Sequence, residues 1–406
     1  MKISIMPGRL EGAVTPPPSK SISHRAIIAA ALCPGRSRIN NLALSQDIKA
    51  TLLGVRAMGA SIMYDKEAKG VSIYGIRNKA QSPKINCGES GSTIRFLIPI
   101  VLALYGRGDF CGRGRLLSRP LDEYLRIFTE KGISWSFLQE KMSLKGELPA
   151  GEYRLRGDVS SQFISGLLFA LPLLAGDSKI ILTTPLEGIG YIEMTLDILN
   201  KAGIEVSNGY YAYFTIKGGQ SYSKLNLDIE ADYSQAAFYF AANAIGNNVD
   251  IRGLAPVSSQ GDRHMVLVCR QLAEEGEKEI DVCHIPDLLP AIAVIAALRN
   301  GYTTKLTNAS RLRLKESDRL TAVASELNKL GASIKEEPDA LIIRGVKGFR
   351  GGVTESHNDH RIAMALAIAA TRAKGEVIIE GAESVKKSYP NFWEHYKSLG
   401  GVLHEI

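Results

Sequence analysis

Six times along this 406-residue chain a helix-period run ends on a glycine and gives way at once to strand-like residues. The glycines are Gly59, Gly132, Gly203, Gly276, Gly331 and Gly400, at intervals of 73, 71, 73, 55 and 69 residues. Glycine just past a helix end takes the left-handed conformation that closes the last turn without a Cβ clash. A long, fairly even period of this kind means a repeated supersecondary unit. Six copies divide naturally into two domains of three. The best seam lies near residues 225–230, after the turn cluster Gly218-Gly219-Gln220-Ser221. The opening strand-like run, Lys2-Ile3-Ser4-Ile5, precedes the first complete unit and could join the later domain; pattern alone leaves that open.

A second set of helices interleaves with the first, over residues 22–32, 93–104, 163–175, 236–245, 288–298 and 362–371. These are apolar nearly all round, which marks helices enclosed within a domain. Short strands such as 73–74, 214–216 and 340–343 fit small sheets packed on them. What precedes each enclosed helix is polar. The first follows Ser19-Lys20-Ser21-Ile22-Ser23-His24-Arg25, behind the prolines Pro16 to Pro18. The others follow Gly88 to Arg95, Asp158-Val159-Ser160-Ser161-Gln162, Asp232-Tyr233-Ser234-Gln235, Pro286-Asp287 and His357-Asn358-Asp359-His360-Arg361. Hydroxyls, free backbone N–H groups and cations at a helix N-terminus describe a seat for phosphate or carboxylate, each end being worth about 0.3–1 kcal/mol. Plain capping explains Ser160 and Asp232 equally well. Gly91 could simply relieve a tight turn, and Glu316 with Arg319 could be a surface pair at i, i+3.

Several chemistries find no support. His357 and His360 lack a third metal ligand, and neither a G-x-x-x-x-G-K-[ST] loop nor a strand-coupled G-x-G-x-x-G is present. The balance of 49 basic and 42 acidic residues, net +7, favours an anionic partner. Cations set beside acids at separate helix mouths argue against the basic, aromatic-laced stripe of a nucleic-acid binder. Five scattered cysteines without a C-x-x-C pair suit a reducing compartment. No apolar leader opens the chain, and the uncharged stretch 159–176 is too interrupted to span a bilayer. The expectation is a cytoplasmic protein without a membrane partner.

In chain order, Ser-Lys-Ser-x-Ser-x-Arg, Gly-x-Ser-Gly-x-Thr-x-Arg, Arg119-Pro120, Ser160-Ser161-Gln162-Phe163, Lys315-Glu316-Ser317-Asp318-Arg319, Asn358-Asp359-His360-Arg361 and Lys387-Ser388-Tyr389-Pro390 resemble the 5-enolpyruvylshikimate-3-phosphate synthase family. The resemblance runs from Lys20 to Lys387. It implies an α/β fold of two domains, each of three βαβαββ units with buried parallel helices, an inside-out α/β barrel. The domains would be 1–16 with 229–406 and an inserted 17–228, with the active site in the cleft. It implies transfer of enolpyruvyl from phosphoenolpyruvate to the 5-hydroxyl of shikimate 3-phosphate by a monomer, with no metal, organic cofactor or nucleic acid.

By motif, Lys20, Ser21, Arg25, Ser160, Ser161, Gln162, Tyr191, Asp287 and Lys315 resemble the shikimate 3-phosphate ligands. Lys20, Gly91, Arg119, Gln162, Arg319, Arg361 and Lys387 resemble the phosphoenolpyruvate shell. Asp287 resembles the base and Glu316 the proton donor to C3, with Lys20, Lys387 and His360 at the departing phosphate. The chain departs from the family at Gly188, where Ser is usual, and at Gly190, where Pro is usual. It departs also at Arg311 for Asn, Glu89 for Asn and Phe96 for Pro. The related UDP-N-acetylglucosamine enolpyruvyl transferase relies on a loop cysteine shortly before an Arg-Pro pair. Here Cys111 stands eight residues before Arg119, in a different setting.

Overall fold

A computed structural model describes residues 1–77 and 81–406, which divide into two compact units. One is Pro18–Ile229; the other joins Met1–Pro17 to Glu230–Ile406.

In the unit Pro18–Ile229 the helices run in order α1 (Lys20–Leu32), α2 (Gln46–Ala57), α3 (Gly91–Tyr105), α4 (Asp122–Glu130), α5 (Ser161–Ala170) and α6 (Ile189–Lys201). The odd-numbered three are enclosed: α1 buries every residue from 22 to 31. The even-numbered are amphipathic; α4 buries only Tyr124, Ile127 and Phe128, at the 3–4 spacing of one helix face. α5 stops at Ala170, short of the expected 175. Pro172 cannot continue the ladder, and Leu171–Leu173 tightens into a 3-10 turn.

Three four-stranded sheets share one plan, a parallel first pair followed by an antiparallel hairpin. One runs Lys84–Asn86, Arg107–Cys111, Lys141–Lys145, Ser134–Leu138. Another runs Gly151–Leu155, Ser178–Leu182, Tyr213–Ile216, Val206–Gly209. The third borrows its first strand from the far end of the unit, where Asn226–Asp228 lies parallel to Arg36–Asn40 with Leu227 opposite Ile39. Met142 and Leu144 are buried, Ser143 between them is half-buried and the flanking Lys141 and Lys145 are exposed, so the period-2 pattern turns one sheet face inward.

α3 and α5 approach so closely that a Cβ on Gly166 would lie 2.3 Å from both the Arg95 carbonyl and the Tyr124 hydroxyl. Gly166→Ala is expected to destabilise the fold by about 1–3 kcal/mol through overpacking. A lowered urea midpoint checks this.

The second unit carries α7 (Tyr233–Ala244), α8 (Met265–Ala273), α9 (Leu289–Ala297), α10 (Arg319–Lys329), α11 (His360–Ala370) and α12 (Phe392–Ser398). Again the odd-numbered helices are enclosed. The N-terminal strand Lys2–Met6 pairs antiparallel with both Val377–Glu380 and Val402–Glu405, placing Ile3 opposite Ile379 and Ile5 opposite Leu403. Another sheet runs Lys278–Asp281, Thr303–Thr307, Ala340–Arg344, Ser333–Glu337.

One repeat is shortened. Its strands Glu11–Val14 and Asn248–Ile251 form a two-stranded parallel sheet, and α8 leads through Gly276 directly into the first strand of the next unit. The missing hairpin is the physical origin of the short 55-residue interval. All six periodic glycines hold positive φ, between +72° and +103°. Among the described residues no helix is long and apolar enough to cross a membrane.

Candidate active site

In the unit Pro18–Ile229 the polar motifs fall at the N-termini of α1, α3 and α5. Ser19 caps α1, Ser90 caps α3 and Ser160 caps α5, each accepting from the backbone N–H of the second or third residue of its helix at 3.1–3.4 Å. Lys20 Nζ lies 2.9 Å from Asp47 Oδ2. Arg25 is clamped: Nη1 donates to the Ser21 carbonyl, Nη2 to the Tyr191 carbonyl and Nε to Thr195 Oγ1, each at 2.8 Å. Its guanidinium also covers the Phe96 ring, 5.1 Å from the centroid. One arginine therefore fixes Ser21 on α1 against Tyr191 on α6.

Arg95 plays the same part between α3 and α5. Its Nη1 donates to Gln162 Oε1 and its Nη2 to the Pro120 carbonyl, both at 2.8 Å. Gln162 Nε2 donates on to Ser92 Oγ at 3.0 Å. This network ties Gln162 to the segment bearing Arg119. Gly91 sits beneath it, where a Cβ would lie 2.9 Å from Arg119 Nη1 and 3.0 Å from Arg95 Nη1. Room for two guanidinium groups, rather than turn geometry, is what this position requires.

His24 Nδ1 lies 2.7 Å from Thr51 Oγ1, which continues to Thr93 and Ser90. Burial, then Lys20 and Arg25, hold its pKa well below the usual value, so the ring stays neutral.

In the other unit the centre is Asp287. It stands in a 3-10 turn, Pro286–Leu288, ahead of α9 and does not cap that helix with its side chain. Asp287 Oδ1 accepts from Arg319 Nη1 at 2.8 Å with Lys315 Nζ at 3.7 Å, and Oδ2 accepts from Arg361 Nη2 at 2.8 Å. Arg319 is 1% exposed and spends all three nitrogens on acids: Nη2 on Glu316 Oε2 and Nε on Asp359 Oδ2, each at 2.8 Å. The Glu316–Arg319 contact is thus part of a buried network, not the surface pair that spacing allowed. A buried charge persists only when so compensated.

Asp359 also caps α11, accepting from Arg361 N at 2.9 Å. Lys387 Nζ donates to the Asn358 carbonyl at 2.6 Å, and His360 is buried beside Asp359. Burial lowers the Lys315 pKa to about 8 despite the opposing pull of Asp287, with Arg319 and Arg311 adding to the fall. Burial and the nearby Asp287 push Asp262 up to about 7, against Arg361 and the Ser234 hydroxyl that donates to it.

In each unit motif residues therefore lie in or beside the first turns of helices, several of them joined by arginine contacts. A match to the EPSP synthase (3-phosphoshikimate 1-carboxyvinyltransferase) family spans residues 5–396. The chain belongs to the EPSP synthase family. The 3-phosphoshikimate 1-carboxyvinyltransferase of Clostridium perfringens strain 13 is 48% identical, over 100% of this chain and 99% of its own. That of Clostridium beijerinckii is 46% identical over 99% and 98%. The solved EPSP synthase of Acinetobacter baumannii superposes over 100% of both chains with TM-score 0.80 at 26% identity. The enolpyruvyl transferase NikO of Streptomyces tendae shares the fold, TM-score 0.80, at 16% identity. This member of the family transfers the enolpyruvyl group of phosphoenolpyruvate to shikimate 3-phosphate.

One departure from the family pattern, at Gly188, has a local cause here. Gly188 precedes α6 with φ +71°, a left-handed conformation that serine adopts only with strain. Arg311 donates through Nη2 to the Cys283 carbonyl. Cys111 ends a strand opposite Asn86 and Lys141. Motif reasoning passed over Arg95, Asp359 and Asp47 as site residues. The signal available was their position, a polar side chain in or just before the opening turns of a helix that is apolar further along, or in the first turn of α2.

Proposed function

We propose that the helix mouths of the two units close on one substrate pair, with the reacting carbons between Asp287 and Glu316. Shikimate 3-phosphate is held by Lys20, Ser21, Arg25, Ser160, Ser161, Gln162 and Tyr191 on one side, and by Lys315 and Asp287 on the other. Phosphoenolpyruvate is held by Lys20, Arg119, Gln162, Arg319, Arg361 and Lys387, with Gly91 leaving room for the guanidinium groups. The observation that carries this reading is the grip of three cations on Asp287, one of them shared with Glu316. It joins a carboxylate base and a carboxylic acid through the planar forks that suit an incoming carboxylate and phosphate.

When substrate anions take over Arg319 and Arg361, Asp287 is released to accept the proton of the 5-hydroxyl. Glu316, relieved of its cationic partner, takes up a proton from water before closure and delivers it to C3, and the alkoxide oxygen bonds to C2. In the second half Glu316 recovers a proton from the C3 methyl, and the C2–O bond to the phosphate breaks. Phosphate leaves with the proton held at Asp287, while Lys20, Lys387 and His360 stabilise its charge. The pair of positioned groups supplies roughly 10²–10⁴-fold each as acid and base. Closure excludes water from this exchange.

Phosphate release from phosphoenolpyruvate that depends on shikimate 3-phosphate tests the reading. Release without the acceptor, or loss of turnover in Cys111→Ser, overturns it. Compaction of the scattering profile when both substrates are added tests closure of the two units.

Lys315 supplies a pH prediction. A lysine lowered to about 8 is charged below that pH and neutral above it. Therefore kcat/KM for the dianionic shikimate 3-phosphate should fall as pH rises past about 8, approaching tenfold per unit. Lys315→Arg, which stays charged, should flatten that limb.

A further inference from the structure

One side chain at the helix mouths has no part in the roles assigned so far. Gln235 is the third residue of α7, its backbone N–H donating to the capping Asp232. It is 1% exposed, yet neither Oε1 nor Nε2 has a hydrogen-bond partner among the described residues. Burying an unpaired amide is unfavourable, and the buried residues that follow on α7, Ala236, Ala237 and Phe238, are apolar. An amide kept at such a position against stability points to a partner the chain itself does not provide.

Its surroundings indicate which. Helical side chains lean towards the N-terminus, so the amide lies over the first turn of α7, at the positive end of the helix. The Ser234 carbonyl there receives Arg361 Nη1 at 3.5 Å. Four residues on, and so on the same face, the Tyr239 hydroxyl lies 3.0 Å from that of Tyr389. Tyr389 follows Lys387 and Ser388, and the buried Ser388 hydroxyl also has no partner among the described residues. Asp232 and Asp262 stand close by. A lysine at position 235 would be captured by those carboxylates, whereas a neutral donor stays available to an anion.

We propose that Gln235 is a further substrate-binding residue, its side-chain N–H donating to an anionic oxygen of phosphoenolpyruvate between Arg361 and Lys387. This rests on the reading that those two cations receive phosphoenolpyruvate. Gln235→Met keeps the volume and removes the amide; Gln235→Glu keeps the shape and adds a negative charge.

In the full-length protein, Gln235→Met should melt no lower than wild type. Its KM for phosphoenolpyruvate should rise about tenfold, the loss of one charge-assisted hydrogen bond. KM for shikimate 3-phosphate should change less than twofold. Gln235→Glu should raise the phosphoenolpyruvate KM further, by about a hundredfold, and serves as the readout should the methionine variant not fold. A melting temperature several degrees below wild type in Gln235→Met, or an unchanged phosphoenolpyruvate KM in either variant, overturns the proposal. Failure of the wild type to turn over the two substrates would instead sink the underlying reading, and this proposal with it.

Discussion

Asp287→Asn should lower kcat by about 10²–10⁴-fold, the range removed when a positioned general base is lost. Asparagine has the shape of aspartate and can still accept from Arg319 Nη1 or Arg361 Nη2 through its carbonyl oxygen. It cannot take a proton from a hydroxyl. Substrate binding should suffer less, because Lys315, Arg319 and Arg361 all remain and lose only a competitor.

The same variant carries an internal control. Asp287 is the largest influence raising the Lys315 pKa against burial, so its removal should move the alkaline limb of kcat/KM to lower pH than in wild type. Steady-state phosphate release across pH 6 to 9 reads both effects. If kcat stayed within threefold of wild type, the base would have to be sought elsewhere. A limb that stayed in place would mean that Lys315 does not take its charge from Asp287.

Much of this architecture was legible because it rests on local rules. Gly59, Gly132 and the four like them announce where helices end, since only a left-handed residue closes those turns. The enclosed helices reveal themselves by apolarity on every face. Boundaries were less legible where a single residue decides: Pro172 halts α5 early, although the apolar run continues beyond it.

The candidate site divides in the same way. Residues named by motif, such as Lys20, Arg25 and Arg361, do lie at helix mouths. Their partners come from sequence distances that no local pattern encodes, as when Arg25 reaches Thr195 and Tyr191, or Arg319 meets Asp287. Gln162 was expected as a ligand, but its orientation depends on Arg95, 67 residues earlier. Spacing alone allowed Glu316 and Arg319 to be an exposed pair; burial makes that contact part of a compensated cluster.

That cluster yields the largest expected loss of stability. Arg319→Met keeps an unbranched side chain of similar reach but leaves Asp287, Glu316 and Asp359 without the cation that each meets at 2.8 Å. Breaking a buried pair in this one-sided way costs about 3–5 kcal/mol. Catalysis should fall with it, by at least about 10³-fold in kcat/KM, equivalent to ~4 kcal/mol of lost transition-state binding.

The pH dependence should change sign. In wild type, burial is the largest influence and opposes ionisation of Asp359, but the charge and hydrogen bond of Arg319, together with His360, outweigh it and the net shift is downward. A carboxylate with depressed folded pKa contributes stability above its unfolded pKa, roughly 4, and loses it only as pH falls through the folded value. Without Arg319 burial prevails, the folded pKa rises above the unfolded one, and stability is lost as pH increases from about 4 towards 7. Urea unfolding at pH 5 and pH 7.5 should therefore show a larger penalty for Arg319→Met at the higher pH. Arg319→Lys supplies one point charge in place of a three-armed fork, so it should restore part of the stability and little of the activity. Equal penalties at both pH values would mean that the three carboxylates do not depend on Arg319 for their charge.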